Sequence, residues 1–145
     1  MASRDPELLC VTLQVFWRKL QAWYQAKFPD RELFLTCTYR SPEEQRALYK
    51  QNRPGKILTR CDGVKVRSKH NFSPAHAFDV AVRFKGNKGR VEWQEVFYIP
   101  LGRAIAELGY EGRIRWGGWF SFRDYPHFEV LWPKNEESYT KLTGS

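Results

Sequence analysis

Residues 77–84 read Ala-Phe-Asp-Val-Ala-Val-Arg-Phe, and this alternation constrains the chain more than any other feature. Successive strand side chains point to opposite faces, so Phe78, Val80, Val82 and Phe84 fall together and must meet a core. Ala77, Asp79, Ala81 and Arg83 fall on the other face. A strand with one apolar face demands a sheet packed on one side by another layer. Aspartate is a poor strand former, and a carboxylate held over a sheet needs a partner for its charge. The flanking alanines leave room above Asp79 for an ion and a water, or for a salt bridge to Arg83 or another base.

The covering layer is legible too. Asp5-Pro6 has the form of a helix start, an N-cap acceptor followed by proline. Leu9, Leu13, Phe16, Leu20 and Trp23 then trace one face of an amphipathic helix running to about Phe28, before Pro29. Leu33 to Tyr39 reads as a strand. Ser41-Pro42-Glu43-Glu44 is a capping box opening a helix over 42–52. A third helix is expected over 94–108, kinked at Pro100. Short strands are expected at Ile114–Gly117 and His127–Leu131. This mixed order predicts an α+β fold, a small antiparallel sheet flanked by helices.

A length of 145 residues implies one domain over 1–145, with no separate wall-binding domain. With 42% hydrophobic, 16% aromatic and 28% charged residues, the composition is globular rather than disordered. Arg18, Lys19 and Lys27 interrupt the most apolar stretch, so no membrane insertion is expected. Arg4, Asp5 and Glu7 precede the first apolar run, unlike a secretory signal, which implies a soluble chain made in a cytoplasm.

Twenty-four basic against sixteen acidic side chains leave a net charge of +8. Such a field favours anionic partners: nucleic acid, acidic lipid or bacterial cell wall. Lys50 to Lys69 holds seven basic residues and one acid, Asp62. It reads as a loop or loose hairpin, either a solvated face or an anion-binding one. Cys10, Cys37 and Cys61 form no CxxC pair and read as small core residues or free thiols.

The three histidines are His70, His76 and His127. In 127–132, Phe128, Val130 and Trp132 share the face assigned to the core, so His127 and Glu129 share the opposite one. Pro126 makes Asp124-Tyr125-Pro126-His127 a turn feeding that strand, which lets Asp124 sit near His127. A catalytic zinc takes three protein ligands and keeps an open position. His70, Asp79 and His127 would supply two nitrogens and one oxygen, leaving Asp124 as a spare carboxylate to take a proton. The HExxH helix of common metalloproteases is absent.

Ser68-Lys69-His70, followed by Ala75-His76-Ala77-Phe78-Asp79, resembles the SxHxxGxAxD motif of the D-alanyl-D-alanine metallopeptidases. Trp116-Gly117-Gly118-Trp119 and Asp124-Tyr125-Pro126-His127-Phe128-Glu129 resemble their second metal motif, in the form seen in phage L-alanyl-D-glutamate endopeptidases. Thr38-Tyr39-Arg40-Ser41-Pro42-Glu43-Glu44-Gln45 is similar to the YRS-x-x-x-Q segment of the same family. The motifs span residues 38 to 130 in the family's order.

The resemblance implies a hedgehog/D-Ala-D-Ala peptidase-like fold and one zinc ion held by His70, Asp79 and His127. It implies Asp124 as general base and Arg40 as the group steadying an oxyanion or a substrate carboxylate. Parity along the strand agrees for Arg40, which falls with Thr36 and Thr38 rather than with Leu33, Leu35 and Cys37. Gln45 and Ser68 would help hold the peptide, although a solvated helix residue and a turn hydroxyl serve equally well as readings. Trp116 and Trp119 read as core packing or as a substrate-groove wall, beside glycines suited to a tight turn or close backbone approach. His70 and Asp79 stand two residues further apart than in the motif, and Ala75 replaces its glycine. The extra residues around Ser73-Pro74 could bulge out, or His76 could replace His70; parity places His76 on the Phe78 face, which favours His70.

The implied function is a zinc endolysin acting on the peptidoglycan stem peptide at the L-Ala–D-Glu bond. It would be a monomer drawn to the anionic cell envelope, held in the host bacterial cytoplasm before release to the wall. The alternatives are a D-alanyl-D-alanine carboxypeptidase on the same site, a basic nucleic-acid-binding module, and a catalytically silent wall-binding module that keeps the zinc. The nucleic-acid reading leaves Asp79 and Asp124 unexplained, so no specific nucleic-acid partner is expected.

Overall fold

The computed structural model describes residues 2–131. Among them are the helices α1 (Val11–Lys27), α2 (Pro42–Tyr49) and α3 (Ile99–Glu107), and the strands β1 (Arg31–Cys37), β2 (Ala77–Phe84), β3 (Ile114–Trp116) and β4 (His127–Val130). The strands form one sheet in the order β1-β2-β4-β3, every neighbouring pair antiparallel. This is the α+β arrangement expected from the sequence. Trp132, assigned to the core by alternation, lies outside the described residues.

β2 occupies its predicted span, and Phe78, Val80 and Val82 are fully buried. The layer over them is α1, whose Leu13, Phe16, Leu20 and Tyr24 are buried. The Phe16 ring lies 6.1 Å from that of Phe78 and 5.9 Å from that of Phe128, joining helix to sheet by tilted aromatic contacts. α3 packs beside α1 and against β3. No described helix is long and apolar enough to cross a membrane.

Three local expectations are corrected. The Asp5-Pro6 signal caps only a 3-10 turn, Pro6–Leu8, where Asp5 Oδ1 accepts from the Glu7 N–H at 2.9 Å. Leu9 then bridges in parallel to Ala75, with Cys10 N–H to Ala75 O at 3.0 Å, so the chain stays extended until Val11. α2 ends at Tyr49 rather than 52, though its capping box is reciprocal, at 3.0 and 2.9 Å between Ser41 and Glu44. Pro100 does not kink a helix: the segment splits into a 3-10 turn, Glu95–Phe97, and α3, with Pro100 in the first turn of α3, where its missing N–H costs nothing. Tyr98 anchors the split, its hydroxyl donating to Glu92 O at 2.7 Å and accepting from Val82 N–H at 3.2 Å.

The register of β1 carries a bulge. Leu35 pairs with Val80 but Cys37 with Asp79, so two β1 residues oppose one on β2. Alternation fails there, and Cys37 comes to lie beside Asp79. The N-terminal segment runs alongside the end of β1, with Thr38 N–H to Ser3 O at 2.7 Å and Ser3 N–H to Tyr39 O at 2.9 Å.

Candidate active site

The β2–β4 ladder sets Asp79 opposite His127 and Ala77 opposite Glu129. Directly paired residues share a face, so Asp79, His127 and Glu129 stand together on the side away from Phe78 and Phe128. His70 reaches the same place from a 3-10 turn, Lys69–Asn71. Ser68 caps that turn, accepting from His70 N–H at 3.2 Å, while Asn71 Oδ1 accepts from Ser68 N–H at 2.8 Å. Arg40 N–H to His70 O and Asn71 Nδ2 to Arg40 O, both 2.9 Å, pin the turn to the segment after β1.

The imidazoles are oriented by their outer partners. His70 Nδ1 lies 2.8 Å from Thr38 O, which can only accept, so Nδ1 donates and Nε2 is the nitrogen left to face the cluster. Nε2 points toward Asp79 Oδ1 at 3.3 Å. It is buried and makes no hydrogen bond among the described residues. His127 presents Nδ1 to the same Asp79 oxygen at 3.0 Å and Nε2 to Glu129 Oε1 at 2.8 Å. Glu129 Oε2 is in turn 2.8 Å from Lys69 Nζ. The two rings lie 5.3 Å apart.

Charge in this cluster is strongly coupled. Burial opposes protonation of His127, yet its bonds to Asp79 and Glu129 outweigh it and raise its pKa to about 9. His70 is raised well above its ordinary value for the same reason, with Asp79 overcoming burial. Asp79, though buried, is held far below the usual carboxylate range by the two imidazoles. Glu129 is lowered to about 2, with His127 and Lys69 overcoming its burial. His70 Nε2 and His127 Nδ1 thus approach one Asp79 oxygen from two sides, although the three side chains do not form a single group with all ligand atoms within 4.8 Å. Two imidazole nitrogens and a carboxylate oxygen are a donor set that suits zinc.

Asp124 completes the group. One of its oxygens, one of Asp79 and one nitrogen of His127 all lie within 4.8 Å of one another. Although Asp124 is exposed, partial desolvation of its carboxyl and then repulsion by Asp79 raise its pKa above the ordinary carboxyl value. Gly117 makes this placement workable: its carbonyl accepts the N–H groups of Asp124 and Phe120 at 2.9 and 3.1 Å, and a Cβ there would meet the Asp124 carbonyl and His127 Cβ.

Cys37 also stands within 4.8 Å ligand-atom reach of His70 and Asp79. Its expected free thiol is present, but parity had assigned it to the core face; the bulge turns it into the site. Arg40 donates to Gln45 Oε1 at 2.9 Å and lies 3.5 Å from Cys37 Sγ and 4.0 Å from Asp79 Oδ2. It therefore sits beside Cys37, although parity had set them on opposite faces. Gln45 is fully buried, its amide held by Thr59 Oγ1 at 3.0 Å and Cys61 O at 2.9 Å, so it bears on a ligand only through Arg40. Ser68 caps His70 and lines the cleft. His76 belongs to neither cluster; it is buried with its ring stacked on Phe72 at 4.7 Å.

His70, Asp79, Asp124 and His127 open into a cleft of about 780 Å³. Its aromatic wall is Phe120 and Phe122, which sequence reasoning missed because neither sits in a regular pattern. Trp116 instead is buried, donates its indole N–H to Tyr125 O at 2.7 Å and packs on Gly102 and Gly118, the core role. Trp119, which is exposed, is not among the cleft-lining residues.

A family model described as D-alanyl-D-alanine carboxypeptidase matches residues 62–130, the stretch that contains His70, Asp79, Asp124 and His127. The match covers slightly less than half of the chain, and it is a similarity to that family. The chain is also 34% identical over 113 residues to the peptidoglycan L-alanyl-D-glutamate endopeptidase CwlK of Bacillus subtilis (strain 168), covering 69% of this chain and 61% of that protein. The chain thus spans less than two thirds of that relative's length. Among solved structures it resembles the Serratia marcescens L-Ala D-Glu endopeptidase ChiX, with a TM-score of 0.50 and 27% identity over 69% of this chain and 67% of that one.

Proposed function

We propose that this chain is a zinc-dependent endopeptidase that cuts the L-Ala–D-Glu bond of the peptidoglycan stem. The observation that carries it is the approach of His70 and His127, from two separated segments, to one oxygen of Asp79, with the buried His70 Nε2 lacking a hydrogen-bond partner among the described residues. These three residues would hold the metal. A bound zinc supplies Lewis acidity at neutral pH.

The chain's own residues supply the rest. Asp124, at the edge of the cluster, accepts the proton of the attacking water and returns it to the leaving amine; its raised pKa brings it nearer the working pH of a general base. Arg40, fixed by Gln45, presents its guanidinium to the oxyanion that develops at the scissile carbonyl. Phe120 and Phe122 give the peptide an apolar wall. In the same reading the enzyme acts as a phage endolysin, passing from the host cytoplasm to the wall, and its net charge of +8 draws it to the anionic envelope.

Mass spectrometry of digested sacculi tests the reading. The expected products are stem peptides freed at L-Ala, and Asp124→Asn should lower the rate about 10²- to 10⁴-fold. Metal analysis of the purified protein should find one zinc per chain. The family description favours a second reading, a D-alanyl-D-alanine carboxypeptidase, which would release single alanines instead.

A further inference from the structure

The basic stretch from Lys50 to Lys69 folds as one wall of the cleft. It holds little regular structure, yet it is bonded throughout. Asn52 Oδ1 accepts from Leu58 N–H at 2.8 Å, and Asn52 Nδ2 donates to Thr59 O at 2.7 Å. Asp62 Oδ1 accepts from the N–H groups of Val64, Lys65 and Val66 at 2.9, 2.8 and 3.0 Å. Gly63, at φ +83°, lies against Pro42 and Gln45 with no room for a side chain. The loop therefore has a defined shape, and it presents Arg60 and Arg67 to the cleft.

Arg115 from β3 and Arg123 from the loop before β4 line the same cleft. All four guanidinium groups rest on neutral partners. Arg60 lies 5.1 Å from the Phe122 ring, Arg67 4.7 Å from Phe72 and Arg115 4.4 Å from Phe120. Arg123 donates to Tyr125 Oη at 3.3 Å. None of the four has a carboxylate within ion-pair distance among the described residues, while Asp79 and Glu129 are engaged with the imidazoles and Lys69. The cleft also holds Asp124, but four unpaired guanidinium groups around it outnumber that one carboxylate and favour an anionic ligand. The planar guanidinium fork matches a carboxylate, and stacking on aromatic rings fixes its orientation in advance.

We propose that Arg60, Arg67, Arg115 and Arg123 form a carboxylate-reading rim that selects stem peptides with free carboxyl groups over the same peptides in amidated form. The inference rests on the stem-peptide reading above and adds to it the chemical form of substrate that is taken.

The test titrates two peptides calorimetrically against the Asp124→Asn protein, which binds without cutting: L-Ala-γ-D-Glu-L-Lys, and the same peptide with the α-carboxyl of D-Glu amidated. The free acid should bind about ten-fold more tightly, the scale of a charge-assisted hydrogen-bonded pair. The preference should fall toward one in the Arg60→Gln/Arg67→Gln and Arg115→Gln/Arg123→Gln proteins. It should survive in Lys85→Gln/Lys88→Gln, whose exposed lysines lie beyond the far end of β2. Equal affinity for the two peptides, no binding of either, or loss of the preference in the lysine variant would overturn the proposal. The two-peptide comparison needs no arginine variant to fold. Cleavage of the acid peptide by the unaltered protein reports separately on the peptidase: preference without cutting keeps the rim and removes the endopeptidase, and cutting without preference does the reverse.

Discussion

His127 is gripped at both ring nitrogens, by Asp79 on one side and by Glu129 on the other. Glu129 thus fixes which nitrogen faces the cluster, the usual task of a carboxylate behind a metal-binding imidazole. Glu129→Gln should weaken zinc binding about 10- to 100-fold, measured by competition with a chromophoric chelator, while circular dichroism stays unchanged. At this scale the sequence was informative wherever alternation held. Asp79, His127 and Glu129 could be set on one face from parity alone. Cys37 could not, because a single inserted residue reverses every face after it. Nor could the burial of Gln45, since its three hydrogen bonds join segments that sequence spacing does not relate.

At the scale of elements, β2 and β4 were legible because one buried face imposes a strict period, and α2 because its cap is local. The start of α1 was not, because a long-range bridge from Leu9 to Ala75 overrides a sound local helix signal. The turn Gly117–Trp119 is decided by contact rather than propensity. Gly117→Ala would drive a methyl group into the Asp124 carbonyl and His127 Cβ. A stability loss of about 1–3 kcal/mol is expected from overpacking. The loss in peptidoglycan hydrolysis should be larger than in thermal melting, because the displaced loop carries Asp124.

For the molecule as a whole, buried His76 couples folding to acidity. Burial, and then the charge of Lys69, depress its pKa to about 3, whereas in the unfolded chain it titrates near 6.5. Between those values the unfolded state binds the extra proton, so stability rises with pH through that window. The contribution is complete above about pH 6.5 and is lost progressively as pH falls toward 3. His76→Phe should flatten the acid side of the stability curve in urea titrations run from pH 7 to 4.

Thr38 gives its N–H to Ser3 and its carbonyl to the His70 imidazole. One residue therefore joins the segment around Ser3 to the His70 ring. Deleting residues 1–3 removes the acceptor of the Thr38 N–H, so the shortened protein should load zinc less completely than the unaltered one. Atomic absorption on the two proteins is the check.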